Sequence, residues 1–190
     1  MLSRRDHALQ IIVRVTWTPE DYLVAQKQSS MARPRCCPHC SAVRPLAALG
    51  YYKRWLSGTN GSDLRLAVRR FRCRDCGRTV SLLPDFAQPY RLIRNEAIEQ
   101  YFSGEQERIA MGRNTVLLRC YWRQFARWLP ELKSTIGPAL GRSPPASQPQ
   151  RWWAFLMDAM GDLAAASRRL VERARVTIFG RYWCHQPRPP

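Results

Sequence analysis

The two stretches Cys37-Pro38-His39-Cys40 and Cys73-Arg74-Asp75-Cys76 decide the fold of this chain. Each Cys-x-x-Cys pair can form a tight turn, called a knuckle, that directs two thiolates at one metal ion. Two knuckles complete the tetrahedral four-sulfur shell that zinc prefers. The pattern predicts one structural Zn2+ with the ligands Cys37, Cys40, Cys73 and Cys76. Because all four ligands are cysteines, no position is left for an activated water, so the metal is predicted to support folding and not catalysis.

Two other interpretations of the cysteines stay open, namely four unrelated buried thiols, or disulfides in a secreted protein. The chain opens without a charged segment followed by an apolar one, so we expect a reducing, cytoplasmic environment. Three cysteines lie outside the two pairs. Cys36 is a possible substitute for Cys37, Cys120 is predicted to be a small buried hydrophobe on a helix, and the Cys184-His185 pair is predicted to be incidental.

The segment between the pairs is predicted to form a β-hairpin. Residues 50–55 and 64–71 have the composition of strands, and residues 57–63 between them are rich in turn formers, including an Asn-Gly pair. A third short strand is predicted at 79–82. Gly77 follows the second pair, where a knuckle often needs a positive φ, whereas Ser41 takes that place in the first, which should make the first knuckle less regular. Residues 33–86 are therefore predicted to form a zinc ribbon of short antiparallel strands.

The charge balance is strongly basic, with 31 Lys and Arg against 14 Asp and Glu and a formal net charge of +17. Such a balance predicts a polyanionic partner, most often nucleic acid and less often an anionic membrane surface. The alternative is a protein whose arginines are simply solvated. The ribbon arginines that we predict to contact nucleic acid are Arg69, Arg72, Arg74 and Arg78.

Helical periodicity follows the ribbon, and residues 89–136 are predicted to be a helix-turn-helix-like domain. After a first helix, a short second helix is predicted to begin at the capping box 103–106, and a third to run from an N-cap at Asn114 to Leu129, stopped by Pro130. The third helix combines an apolar face with a basic stripe that we predict to enter the major groove of DNA. The arginines of this region are Arg113, Arg119, Arg123 and Arg127. A three-helix bundle with a solvated arginine face explains the same pattern.

One long run resembles bacterial zinc-ribbon proteins of a domain-of-unknown-function family associated with transposases. It is Arg70-Phe71-Arg72-Cys73-Arg74-Asp75-Cys76-Gly77-Arg78-Thr79-Val80-Ser81-Leu82-Leu83-Pro84-Asp85-Phe86, followed by Pro89-Tyr90-Arg91. Cys37-Pro38-His39-Cys40 and Gly50-Tyr51-Tyr52 fit the same pattern. The resemblance covers residues 33–130 and implies a ribbon followed by a helix-turn-helix, as in the DNA-recognition parts of insertion-sequence proteins. It implies a nucleoid-associated DNA-binding protein that is the recognition part of a transposase, or a remnant related to one.

A catalytic core is not predicted. Two-metal phosphoryl transfer needs several acidic residues that converge on paired magnesium ions from a sizeable scaffold. The stretch after the helical segment is too short for such a domain. Its acids, Asp158, Asp162 and Glu172, are predicted to be solvated or paired with neighbouring arginines. We therefore expect a protein that is not an enzyme.

The remaining segments complete an α+β fold class, with a small zinc ribbon, a helix-turn-helix-like bundle and a C-terminal helix. The predicted segments around the two domains are an N-terminal extension at 1–32, a proline-rich linker at 137–150, the C-terminal helix at 151–180 and a tail at 181–190. Within the extension, a strand is predicted at 11–17, followed by a helix with Thr18 as its N-cap and Pro19 at its first position.

The C-terminal helix has a broad apolar face that includes Trp152 and Trp153. We expect it to pack on the bundle; otherwise residues 151–178 would form a homodimer or dock on a transposition partner protein. The alternative function is thus a zinc-stapled protein-interaction adaptor. Binding of RNA or of a single strand is a further alternative, with aromatics such as Tyr51 and Tyr52 available for stacking. No apolar run approaches the ~20 residues that span a bilayer, so no membrane partner is expected.

Overall fold

The computed structural model describes residues 9–181 apart from residues 45, 59–62, 105–113, 141–144, 146–147 and 175. Over these residues the chain is α+β, with a mixed four-stranded sheet and five α-helices. The sheet contains β1 (Leu9–Val13), β2 (Ala47–Ser57), β3 (Asp63–Arg72) and β4 (Thr79–Pro84). The helices are α1 (Pro19–Val24), α2 (Asn95–Phe102), α3 (Asn114–Leu140), α4 (Pro149–Met160) and α5 (Leu163–Ala174). A 3-10 helix spans Lys27–Ser30, and β5 (Val176–Thr177) pairs with β6 (Gly180–Arg181) in a separate hairpin.

The predicted hairpin between the cysteine pairs is confirmed. β2 and β3 pair in antiparallel orientation from Ala47 opposite Arg72 to Ser57 opposite Asp63, with a bulge beside Gly50. Gly50 has a φ of 93°, a conformation that glycine adopts without the steric cost of a Cβ. Both strands extend beyond the predicted ranges because the apolar residues at alternate positions of β3 keep one face of the hairpin buried.

The N-terminal segment belongs to the same sheet. The strand order is β1-β4-β3-β2, and β1 runs parallel to β4, with Leu9 opposite Val80 and Val13 opposite Pro84. The sheet is therefore mixed, whereas the sequence predicts only short antiparallel strands. β1 is buried along most of its length because β4 and the packed helices enclose it.

Helix α1 covers part of one face of the sheet, and its predicted start is confirmed. The Thr18 Oγ accepts a hydrogen bond from the Asp21 N–H at 3.0 Å, and Pro19 is the first helical residue. Tyr22 is fully buried, and its hydroxyl donates to the Ala67 carbonyl of β3 at 3.0 Å. This contact anchors α1 to the middle of the sheet.

Helix α3 continues past Pro130 to Leu140, although the sequence predicts its end at Leu129. A proline inside a helix removes one backbone donor and costs about 3 kcal/mol. Leu132 and Ile136, beyond the proline, are buried in the helical core. We attribute the continuation to this packing, and the segment predicted as a linker from residue 137 starts within the helix.

Two helices, α4 and α5, occupy the region where the sequence predicts one C-terminal helix. The break lies at Gly161, whose φ of 94° ends α4, and the Asp162 carboxylate then accepts the Ala165 N–H at 2.6 Å. Trp152 and Trp153 are buried in the helical core, which confirms the expectation that their face packs on the bundle. None of the helices in the described ranges is long and apolar enough to cross a membrane.

A polar network joins the sheet to the helices. Arg168 of α5 forms an ion pair with Asp85, whose Oδ1 accepts the Val15 N–H at 3.2 Å. Ser167 of α5 donates to the Gln88 side chain at 2.9 Å. The network lies between the apolar core of the sheet and that of the helices, which form separate clusters. Since Asp85, Gln88 and Ser167 are buried and partnered, the network fixes α5 against the segment that follows β4.

Candidate metal centre

The four predicted metal ligands come together in the structure. The Sγ atoms of Cys37, Cys40, Cys73 and Cys76 all lie within 4.8 Å of one another. The Cys37–Cys76 and Cys40–Cys73 separations are both 3.7 Å. A tetrahedral shell with Zn–S bonds of about 2.3 Å has S–S edges of about 3.8 Å, so the cluster has the dimensions of a metal–thiolate site. The four thiols are free, and they can hold a metal ion such as zinc.

The two knuckles have the same backbone geometry. In the first, the Ser41 N–H donates to the Cys37 carbonyl at 2.9 Å, and in the second the Gly77 N–H donates to the Cys73 carbonyl at 3.0 Å. Ser41 and Gly77 take φ values of 61° and 70°. The expectation of a less regular first knuckle is therefore wrong, because Ser41 adopts the left-handed conformation that glycine adopts in the second.

Replacing Ser41 should stabilise the protein. In Ser41→Gly the steric cost of a Cβ in the left-handed region disappears, and we expect a gain of about 0.5 to 1 kcal/mol in the free energy of unfolding after the greater chain entropy of glycine is counted. The reciprocal Gly77→Ala should cost about 1 kcal/mol for conformational reasons alone, since a Cβ there meets nothing within 4 Å. Denaturant unfolding measures both, and a destabilised Ser41→Gly would contradict the knuckle geometry.

The electrostatics of the cluster differ from one thiol to the next. Burial raises the pKa of Cys37 to about 12. Burial also opposes ionisation of Cys73, but hydrogen bonds from the backbone amides of Cys76 and Asp75 outweigh it and lower the pKa of that thiol to about 7. Backbone amides that point at the sulfurs stabilise thiolates. The amides around Cys73 thus favour its thiolate, whereas burial raises the pKa of Cys37 and of Cys76, and a bound cation would supply the positive charge that stabilises their thiolates.

The other cysteines lie apart from this cluster. Cys37, not Cys36, belongs to it, and Cys36 is a partly exposed free thiol. Cys120 is exposed on α3, so the prediction that it is buried is wrong. The neighbouring Leu118 and Tyr121 carry the buried face of α3, and Cys120 falls beside it. Cys184 lies outside the described residues.

The ribbon arginines have two kinds of surroundings. Arg72, Arg74 and Arg78 are exposed beside the second knuckle, where an anion can reach them. Arg69 instead donates to the carbonyls of Ser29 and Met31, and its guanidinium lies 5.1 Å from the centroid of the Phe71 ring. Arg69 therefore holds the 3-10 helix against the sheet.

The arginines predicted on the third helix form a surface stripe. Arg119, Arg123 and Arg127 are all exposed on α3, whereas Leu118 and Phe125 of the same helix are buried. Their four-residue spacing places successive side chains about 6 Å apart along the helix axis. Arg113 and most of the predicted second helix lie outside the described residues. The described part of the chain thus shows the basic face of α3 without showing a helix directly before it.

The sequence pointed to Tyr51 on the β2–β3 hairpin but not to the rest of a second surface there. Trp55 and Tyr51 are about half exposed on the same face of β2, with Arg65 of β3 beside Trp55. The signal was the alternation of aromatic and basic residues along one strand. Tyr52, which the sequence offered together with Tyr51, points to the other face, where its hydroxyl accepts from Gln10 at 3.4 Å.

Comparison with known protein families matches part of the chain. No curated protein and no solved structure matches the chain. The match is to a family defined as a domain of unknown function, and it carries no link to transposases. The matched segment contains all four clustered cysteines, β2 to β4, α2 and the start of α3. Residues 37–119 are thus similar to the domain of unknown function DUF6431.

Proposed function

We propose that this protein binds duplex DNA through α3, and that the cysteine cluster holds one structural zinc ion that folds the adjoining sheet as a ribbon. The observation that carries the DNA proposal is the stripe of Arg119, Arg123 and Arg127 on a helix whose opposite face is buried. A planar guanidinium contacts phosphate or guanine with two hydrogen bonds at once, which suits it to this role. The formal net charge of +17 supports a polyanionic partner.

The packing of α3 supports its use as a rigid recognition element. Phe102 at the end of α2 packs edge-on against Trp122 and lies 5.7 Å from Phe125, measured between ring centroids. The Tyr121 hydroxyl accepts the Leu92 N–H at 3.0 Å, which ties α3 to the connector before α2. A helix held on its inner side in this way can present its outer side to a groove, as in a helix-turn-helix.

The stripe has no competing partner among the described residues, where no carboxylate pairs with its three guanidinium groups. An exposed cationic row that forms no ion pair with a described carboxylate gains most from a phosphate backbone. The adaptor alternative depended on the tryptophan-bearing face of the C-terminal helices. Trp152 and Trp153 lie inside the core, so we favour DNA binding.

Neutralising the stripe should weaken DNA binding without unfolding the protein. We expect Arg119→Ala combined with Arg123→Ala to lower the affinity for a labelled 20-base-pair duplex about tenfold or more and to reduce the salt slope by about 0.9 for each lost phosphate contact. The measurement is fluorescence anisotropy at two salt concentrations. Arg151→Ala removes one exposed charge from α4 and is the matched control. If the double variant binds the duplex with unchanged affinity, α3 is not the DNA-binding helix.

A further inference from the structure

We propose that the outer face of the β2–β3 hairpin is a separate binding site for single-stranded nucleic acid. Side chains two residues apart on a strand share a face, so Tyr51, Lys53 and Trp55 form one row along β2. Arg65 lies opposite Trp55 on β3, with its guanidinium 5.9 Å from the centroid of the indole ring. We call these four residues the hairpin surface.

The exposure of this surface is not a sign of a loosely held hairpin. Leu56, Leu66 and Val68, on the opposite face of the same strands, are fully buried. The strands are thus anchored from behind, while Tyr51 keeps 50% and Trp55 keeps 56% of its surface exposed. Exposed aromatic rings are ordinary one at a time, but two rings and two cations on one anchored face form a combined surface, which is what suits a binding role.

The cover over this face of the sheet stops short of the hairpin surface. Arg69, opposite Tyr51 on β3, reaches the carbonyls of the 3-10 helix, and Tyr22 of α1 reaches the carbonyl of Ala67, opposite Lys53, so this cover rests on β3. The aromatic row lies beyond it, towards the edge formed by β2. The acid at the end of β3, Asp63, accepts a hydrogen bond from Ser57 at 2.6 Å and so is held at the strand end.

The chemistry of the hairpin surface fits an unpaired strand of nucleic acid. Tyr51 and Trp55 are about 13 Å apart along β2, with the Lys53 ammonium between them. Aromatic rings stack on bases of any sequence, and the cations between them meet the phosphates. A duplex keeps its bases stacked inside the helix, so its bases are not available to these rings. The site therefore prefers single strands and does not depend on α3 as the duplex-binding element.

The test uses the full-length protein and a fluorescein-labelled oligothymidylate of about 12 nucleotides. Trp55→Ala is expected to weaken binding about 5- to 100-fold, which is the range for one base stacked on an aromatic ring. Trp55→Phe should keep most of the affinity and lose the quenching of tryptophan fluorescence that a stacked base causes. Lys53→Ala should reduce the salt slope by about 0.7.

Two controls match the size and the charge of these changes. Tyr90→Ala removes an aromatic ring that is 51% exposed in the connector after β4, and Arg151→Ala removes an exposed cation from α4. Both should bind the oligonucleotide as the wild type does. Circular dichroism of each variant checks that the sheet stays folded.

The outcomes separate this proposal from that for α3. If Trp55→Ala leaves oligothymidylate binding unchanged, or if Tyr90→Ala weakens this binding to the same extent, the hairpin proposal is wrong. This holds even if duplex binding through the α3 arginines is confirmed. If Trp55→Ala loses oligothymidylate binding and the control variants keep it, the hairpin proposal is supported even if the protein binds no duplex. If polyglutamate or anionic phosphatidylserine vesicles compete fully for the same residues and Trp55→Phe keeps the quenching, the surface is a general anion or membrane contact, and the single-strand proposal is wrong.

Discussion

The Cys73→Ser variant is expected to bind no stoichiometric zinc and to lose the cooperative unfolding of the sheet. The Cys73 side chain is buried next to the core that contains Phe71 and Val80. Structural zinc contributes roughly 10 to 16 kcal/mol of apparent binding free energy in small domains, which is comparable to the whole stability of a domain, about 5 to 15 kcal/mol. Losing one of four ligands should therefore unfold the part of the sheet that the knuckles close.

The measurement combines the zinc content of the purified protein with near-ultraviolet circular dichroism during heating. Cys36→Ser and Cys120→Ser are the matched controls, since each removes one thiol outside the cluster. Both controls should keep one zinc per chain and the wild-type melting temperature. If the Cys73→Ser protein has the same melting temperature as its controls, the cysteine cluster does not stabilise the folded sheet.

Breaking the ion pair between Asp85 and Arg168 is expected to have the second-largest effect on the stability of the folded protein. Only 8% of the Asp85 side chain and 20% of the Arg168 side chain is exposed, and the pair joins α5 to the sheet. Removing one partner from a buried pair leaves an uncompensated charge, and the cost is about 3 to 5 kcal/mol. Arg168→Met and Asp85→Leu should each lower the free energy of unfolding by about this much. The double variant should lower it by much less than the sum of the two single effects.

The dependence on pH gives an independent check of the same contact. Burial raises the pKa of Asp85 in the folded protein, although the Val15 N–H and the Arg168 charge act against this shift. Without Arg168, the folded state takes up a proton more readily than the unfolded chain does, so its stability falls as the pH rises through that range. The loss in the free energy of unfolding caused by Arg168→Met, relative to the wild type, should therefore be smaller at about pH 4 than at about pH 7.

A surface pair provides the control for this cycle. Arg44 lies 3.9 Å from Asp75, and their side chains are 81% and 37% exposed. Exposed pairs contribute about 0 to 1 kcal/mol, so Arg44→Gln should leave the denaturation midpoint nearly unchanged. Additive losses in the Asp85 and Arg168 variants, without a coupling energy, would contradict the assigned role of the buried pair.

The features that sequence predicted well are local ones. Cys-x-x-Cys spacing fixes a knuckle by itself, the β2–β3 hairpin follows from strand composition on either side of a turn, and Thr18 before Pro19 marks the start of α1. Each signal lies within a few residues of the structure it specifies. The convergence of the two knuckles was also predictable, since a tetrahedral metal site needs four ligands.

The features that sequence could not predict depend on contacts between distant residues. β1 pairs in parallel with β4, so that Leu9 lies opposite the distant Val80, and Asp85 meets Arg168, which follows it by 83 residues. Pro130 taken alone predicts the end of a helix, but α3 continues beyond it because Leu132 and Ile136 are buried in the helical core. Gly161 and Asp162 are local signals of the break between α4 and α5, but the apolar spacing on both sides led to the prediction of one continuous helix.

The most direct measurement is an anisotropy titration of labelled duplex DNA with protein of known zinc content, at two salt concentrations and with an EDTA-stripped sample alongside. One zinc per chain, a steep salt dependence and loss of binding with the metal are the predicted results. Full duplex affinity in the stripped protein, or no duplex binding by the zinc-loaded protein, would contradict metal-dependent DNA recognition.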